Sequence, residues 1–316
     1  MEITPQKICE DFRSNRLDKH SAIKQLISLI ENSDDEEIRE ESVYSFQKIG
    51  AINEDIFLFE ILENLLISDL NEKVRIASVK LIKDNFLYKA IEPMKWAIQY
   101  ESDCECCITI IETLVEINNV ESKSILNDEV KKIKKEKYLD KSKRIDNKKF
   151  KKSIKKLLKE RKYESFSHDE LAQITVNYKI MSALTKKFYS VYFELENALV
   201  VKLDLADVEY EVRGWKADFK NNIEEISEII GLKYLKYLKD LNLSNNLIKD
   251  VRDLLGVEKL THLYISNNKI SELENLDYFK RMPDLVFLDI SGNEFAAKVN
   301  KQDFENLEVK IKNVYY

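Results

Sequence analysis

Three copies of one spacing near the C-terminus restrict the folds open to this chain more than any other feature. Leu238-x-x-Leu241-x-Leu243-x-x-Asn246 recurs 22 residues on as Leu260-x-x-Leu263-x-Ile265-x-x-Asn268, and 25 further on as Leu285-x-x-Leu288-x-Ile290-x-x-Asn293. A second period runs near the N-terminus. There Asp35-x-x-Ile38-Arg39-x-x-Ser42-Val43-x-x-Phe46 returns 36 residues later as Val74-Arg75-x-x-Ser78-Val79-x-x-Ile82. A single copy of such a unit cannot bury its own apolar face, so copies stack side by side around a continuous core. The expected product is an extended surface of the kind that binds other macromolecules.

The scarcity of turn formers agrees. Among 316 residues there are five Gly and three Pro, which fits helix-rich stacking and leaves no Gly/Ser linker. No run of 18 apolar residues occurs, and the start, Met1-Glu2-Ile3-Thr4-Pro5-Gln6, lacks a basic segment followed by an apolar one. The expectation is a soluble cytoplasmic protein without a transmembrane segment or signal peptide. Cysteines at 9, 104, 106 and 107 form no spaced framework, so reduced thiols are expected. Cys104 and Cys107 share a helical face and Cys106 does not, and no His lies near, so the group reads as small buried apolar residues and not as a metal site.

Three segments follow from the pattern: 1–120, 121–188 and 189–316. In the first, Thr4-Pro5 opens a helix that covers the end of the array, with Ile8 and Phe12 facing inward. Paired stripes then follow: Ala22 to Ile30 with Ile38 to Ile49, Ile56 to Ile67 with Val74 to Phe86, and Ala90 to about Tyr100 with Asp103 to Ile117. Asp35, Ile38, Arg39 and Ser42, matched by Val74, Arg75 and Ser78, resemble the second helix of HEAT repeats, and Pro93 after Ala90-Ile91 fits that family's first helix. The resemblance covers roughly residues 19–118. It implies an α-solenoid of helical pairs in which Arg39 and Arg75 form a structural ladder by bonding to Asp35 or to loop carbonyls. In the third pair Cys106-Cys107 stands where the family has Val-Arg.

The middle segment is basic. Between Lys131 and Lys162 lie 17 Lys/Arg and four acids, a local charge of +13 within a chain of net charge −6, so the remainder carries −19. Phe150, Ile154, Leu157 and Leu158 fall at i, i+4, i+7 and i+8, which predicts an amphipathic helix with lysines on its other faces. Ser167-x-x-Glu170 is a capping box for the next helix. Lys148, Lys149, Lys151, Lys152, Lys155 and Lys156 suit four roles: a phosphate backbone, an anionic membrane surface, an acidic protein, or a solvated connector. Nucleic acid is the less supported of these, because Arg and aromatics are sparse there.

From Val191 the period shortens. Val191 to Leu205 reads as a hairpin entering a first repeat strand, and apolar positions then recur every three residues, closing to two at each strand. The three LxxLxLxxN units resemble leucine-rich repeats of the 22-residue class, known from phosphatase-regulatory and splicing-factor relatives, over about residues 199–316. That resemblance implies a parallel sheet on a concave face and an inward Asn ladder at Asn246, Asn268 and Asn293. It also places Lys202, Asp240, His262 and Phe287 in one outward row, with Asp204, Asn242, Tyr264 and Asp289 in the next. From Leu203 to Leu241 is 38 residues, 16 more than one repeat. The extra stretch, near 208–222, carries Tyr210, Arg213, Trp215 and Phe219 as a loop on which Arg213 and Trp215 are candidate contacts.

Catalytic signatures are missing from the sequence. It has no Gly-rich phosphate loop, no GxSxG and no HExxH, and His20, His168 and His262 fall in different regions. The expected function is a non-catalytic scaffold for a protein or peptide partner. That partner would bind through Asp240, Asn242, His262, Tyr264, Phe287 and Asp289, with Trp215 and Arg213, and no catalytic residue, metal, cofactor or small-molecule substrate is expected. By analogy alone, a narrower version is a regulatory subunit of a phosphatase or small GTPase. The alternative is a nucleic-acid or anionic-surface binder using helix 148–162.

Overall fold

A computed structural model describes residues 3–50, 56–212, 218–299 and 313–315. Contacts divide the chain into two compact units, Met1–Asp128 with Ser167–Ala172, and Glu129–Phe166 with Gln173–Tyr316.

The first unit is built from α1 (Pro5–Arg13), α2 (Lys19–Asn32), α3 (Glu36–Lys48), α4 (Ile56–Ser68), α5 (Glu72–Asn85), α6 (Ile91–Tyr100) and α7 (Cys104–Ile117). Short polar residues start most of these helices by accepting from otherwise orphaned amides: Thr4 from Lys7, Asp18 from Ser21, Asp35 from Glu37 and Ile38, Asn71 from Lys73, and Asp103 from Cys106. The helices pack as pairs, α2 with α3, α4 with α5, and α6 with α7. The second helices also pack on one another, α3 on α5 and α5 on α7, while α1 lies against α2 and α3. Ser42 and Ser78 are fully buried and bond back to Ile38 O and Val74 O, so a small polar residue is accommodated inside each second helix.

Two arginines join successive pairs. Arg39 makes two bonds of 3.2 Å to the Asp69 carboxylate and one of 3.0 Å to Ser33 O. Arg75 repeats the pattern one unit later, with bonds of 2.7 and 2.9 Å to Glu101 and 2.9 Å to Asp69 O. The acid therefore comes from the loop of the following pair, whereas Asp35 is engaged at its own helix N-terminus. Glu101 also accepts from the amides of Ser102 and Asp103, both at 2.8 Å, so one carboxylate fixes its loop and the join together. On the same unit Cys9, Cys104, Cys106 and Cys107 are buried free thiols, and burial, reinforced by Glu101, pushes the Cys106 thiol far above its ordinary pKa.

The second unit takes in the latter part of α8 (Val120–Lys135), most of α10 (His168–Lys187) and the whole of α9 (Lys148–Glu160). Between α8 and α9 the lysine-rich stretch contains a short hairpin of β1 (Tyr138–Asp140) and β2 (Ile145–Asp146). Then come β3 (Tyr192–Glu196), β4 (Leu199–Asp204), the antiparallel pair β5 (Glu209–Val212) and β6 (Asp218–Asn221), β7 (Asp240–Asn242), β8 (His262–Tyr264), α11 (Asn275–Lys280), β9 (Phe287–Asp289) and β10 (Asn313–Tyr315). The main sheet runs β10-β9-β8-β7-β4-β3, parallel throughout except for β3, which returns against β4 as a hairpin. Asn197 and Ala198 both have positive φ, the turn geometry whose twist matches the two strands it joins.

Register aligns the middle residue of each repeat strand: Leu203, Leu241, Leu263 and Leu288 lie side by side and are wholly buried. Leu205, Leu243, Ile265 and Ile290 form the next buried row. Beyond the strands the chain turns through 3₁₀ segments, which leave backbone groups that regular structure would have paired. The asparagines take them. Asn268 donates to Leu243 O and Ile265 O, both at 2.9 Å, and accepts from Ile248 N at 3.0 Å. Asn246 and Asn293 repeat the set one turn before and one after.

Two outcomes follow. Asn268→Ala leaves the buried Ile248 amide without its partner and takes one of two asparagine donors from each of Leu243 O and Ile265 O, and lowers unfolding stability by about 2 kcal/mol, read from the urea midpoint of the second unit. Burial acts to raise the Glu101 pKa, yet Arg75, the Asp103 amide and Cys106 outweigh it and hold it below 4.5. The stabilisation is therefore complete above that value and is lost as pH falls through the lower, folded one. Glu101→Gln reduces stability by about 2 kcal/mol at pH 7, and the gap from wild type closes on acidification below 4.5.

Candidate functional site: the open face of the leucine-rich sheet

Strand residues alternate between two faces, so with Leu203, Leu241, Leu263 and Leu288 in the core their neighbours face outward. Pairing places Lys202, Asp240, His262 and Phe287 in one row and Asp204, Asn242, Tyr264 and Asp289 in the next. The structure thus brings Asp240, Asn242, His262, Tyr264, Phe287 and Asp289 onto one surface, each half-buried. Arg213 and Trp215 lie outside the described residues.

Two strands extend these rows beyond the residues singled out in the sequence. On one side Glu194 pairs with Lys202 and Tyr192 with Asp204; on the other, Tyr315 pairs with Asp289. The alternation Tyr192-Phe193-Glu194 carried the first signal, because the hairpin fixes its register. Tyr315 had none, since a strand that joins from so far along the chain shows no local spacing.

The aromatic side chains form a strip. Phe287 is central, its ring 4.8 Å from Tyr264, 5.3 Å from Tyr315 and 5.7 Å from His262, the last nearly parallel. Such offsets are favourable ring geometries, and they hold Phe287 in place without burying it. Burial raises the Tyr264 pKa, with Asp240 adding to the effect and Lys202 opposing it, so the hydroxyl stays neutral and can both donate and accept. Carboxylates flank the strip at Asp204, Asp240 and Asp289.

The two rows differ in how free they are. Asp204 accepts from Ala206 N at 3.0 Å, Asn242 from Ser244 N at 3.1 Å and Asp289 from Ser291 N at 3.1 Å, the same local turn three times. Asp289 also takes the Ser291 hydroxyl at 2.6 Å. Those side chains help to shape the exit from each strand. Asp240 makes no such bond among the described residues.

A second feature borders this face at its β3 edge. The stripe read from the sequence is inward, with Phe150, Ile154 and Leu157 buried and Phe150 set edge-on to Tyr178 at 5.3 Å. Lys149, Lys152, Lys155, Lys156 and Lys159 line a groove of about 630 Å³ whose other wall is residues 192–195. Lys148 pairs instead with Asp146 at 3.1 Å, and Lys151 lies outside the groove lining. Lys159, Tyr192 and Leu195 are additions that the linear sequence did not bring together. Among the described residues no group of three or more His, Cys, Asp or Glu is arranged to hold a metal ion, and no helix is long and apolar enough to cross a membrane.

With that geometry in hand, comparison with known proteins is informative for one part of the chain. Residues 236–295 match the family model described as leucine rich repeat. They form a leucine-rich repeat region. A stretch of 76 residues is 42% identical to lumican of Bos taurus and of Homo sapiens, and 41% identical to that of Mus musculus. The match covers 24% of this chain and 22% of those relatives, so the chain spans under a quarter of their length. Among solved structures, internalin C2 from Listeria monocytogenes is similar at 27% identity over 29% of this chain and 37% of that one, with a TM-score of 0.24.

The unequal freedom of the two rows is measurable. Asp289→Ala, which releases a turn amide and a serine hydroxyl, reduces unfolding stability by about 1–2 kcal/mol. Asp240→Ala stays within about 0.5 kcal/mol of wild type in the same urea titration.

Proposed function

We propose that the protein is a non-catalytic interaction scaffold that holds a protein or peptide partner along the open, concave face of its leucine-rich repeats. The observation that carries this reading is the strip of half-buried Tyr264, Phe287 and His262, extended by the exposed Tyr315 and flanked by Asp240. Exposed aromatics held rigid by their neighbours supply contact area at little entropic cost, and adjacent carboxylates add orientation, the composition of binding hot spots. Leucine-rich repeat regions generally serve protein–protein interaction, which supports the same conclusion at the level of the family.

The stacked helical pairs of the first unit fit a HEAT-like α-solenoid and supply a second recognition surface. The Arg39–Asp69 and Arg75–Glu101 bonds support that reading, because they join one pair to the next as a repeating array requires. Four buried free thiols support residence in a reducing compartment, the cytoplasm.

The test is capture from the native source by affinity purification and mass spectrometry, with wild type and Tyr264→Ala/Phe287→Ala compared side by side. Truncating two central anchors weakens a specific interaction by about 2 kcal/mol each, so recovery of the specific partner falls by well over tenfold. The urea midpoint stays near wild type, because both side chains lie on the outward face. Equal recovery by the two proteins would remove the assignment.

A further inference from the structure

The lysine groove carries charge that the molecule does not neutralise. α9 holds seven lysines and one acid, Glu160. Lys152, Lys155, Lys156 and Lys159 follow at i, i+3, i+4 and i+7, so like charges are neighbours on one helix face and each such pair is mildly destabilising. Lys148, Lys149 and Lys151 stand in the first turn, where the helix dipole disfavours cations, and Asn147 makes no side-chain cap to offset this. None of the five groove lysines has a described carboxylate within ion-pair distance, and Glu194 is the one acid in the lining. A helix arranged against its own electrostatics in this way is suited to a ligand that supplies the missing negative charge.

The walls narrow the choice of ligand. A bilayer would need an exposed apolar stripe on α9, but Phe150, Ile154 and Leu157 are already buried within the protein, and a recess fits a flat membrane poorly. A single-stranded nucleic acid would need rings for its bases. The exposed ring of the groove, Tyr192, already lies beneath the Lys149 ammonium at 4.3 Å, and no arginine contributes to the lining. Addition of a β-strand is obstructed too, because Lys149 donates to Phe193 O at 2.6 Å on the outer side of β3. What remains is recognition by side-chain charge. Lysine ammoniums on flexible stems meet carboxylates without strict geometry. The acids of an extended peptide that share one side recur about every 6.7 Å, and lysines one helical turn apart are separated by about 5.4 Å along the axis.

The geometry points to an acidic, extended polypeptide segment, rich in Asp and Glu, as the occupant of the groove between α9 and β3. Its carboxylates pair with Lys152, Lys155, Lys156 and Lys159, while Lys149 stays committed to Phe193 O and the Tyr192 ring. This surface is distinct from the strip around Phe287 and does not depend on it.

The experiment is fluorescence anisotropy on the full chain with a labelled peptide of about ten glutamates as probe. A ten-nucleotide single-stranded RNA and phosphatidylserine vesicles are measured in parallel, all at about 50 mM NaCl and again at about 300 mM. The wild-type protein binds the peptide, more weakly at the higher salt. Lys152→Gln/Lys155→Gln/Lys156→Gln, three exposed positions that leave the fold intact, weakens the peptide about tenfold. Tyr264→Ala/Phe287→Ala leaves it unchanged, which separates this test from that of the repeat face. The proposal is overturned by absence of peptide binding, by equal affinity of the lysine variant, or by tighter lysine-dependent binding of RNA or vesicles than of the peptide.

Discussion

A buried asparagine on each of three successive turns makes the C-terminal architecture possible. Strands of three residues pair only a few backbone groups, and the intervening coils run through short 3₁₀ segments and the short helix α11. Each of Asn246, Asn268 and Asn293 gathers two carbonyls and one amide in the apolar interior, successive asparagines sharing Leu243 O and Ile265 O. Because one of those carbonyls belongs to the previous turn, the same side chain satisfies its own coil and sets the spacing to the next. The leucines then fill a space whose dimensions are already fixed. Everything displayed on the outer face takes its position from that interior.

The first unit solves the equivalent problem with charge. Stacked helical pairs satisfy their own backbones, so what needs definition is the offset between pairs, and Arg39 and Arg75 reach from one pair into the loop of the next. A guanidinium suits this because it can hold a carboxylate and a carbonyl at once in fixed directions. The two halves of the chain therefore reach the same end by different chemistry. In each, a polar side chain set among the repeats refers one repeat to its neighbour.

Much of this was readable from the sequence because both periods are local. The resemblance to leucine-rich repeats set Asp240 and Asn242 beside His262 and Tyr264, and the spacing of leucines located the core. Features that depend on residues distant along the chain were not readable. For the arginine ladder the sequence offered Asp35 or loop carbonyls; the carbonyls of Ser33 and Asp69 do accept, but the acids are Asp69 and Glu101, because the stacking offset and not the motif decides which carboxylate comes within reach. Tyr315 joins Phe287 only through a pairing with no spacing to announce it. The amphipathic period of α9 revealed its buried stripe, but the recess beside it required knowing that β3 lies opposite. The turn made by Asp204, Asn242 and Asp289 was likewise hidden, so sequence reasoning valued every outward position alike.

The bond from Lys149 of α9 to β3 has a bearing on how this protein could have diversified. β3 runs against the grain of the sheet, and the Phe193 carbonyl on its outer side is already occupied by Lys149. That flank is closed to any additional turn of the parallel ladder, just as it is closed to a stray strand from another molecule. Gains or losses of repeats are thereby channelled to the interval between β4 and β10, where each coil meets its neighbours through the same asparagine bonds. In such an arrangement the outward sheet face can lengthen or shorten while the basic flank beside it keeps its form.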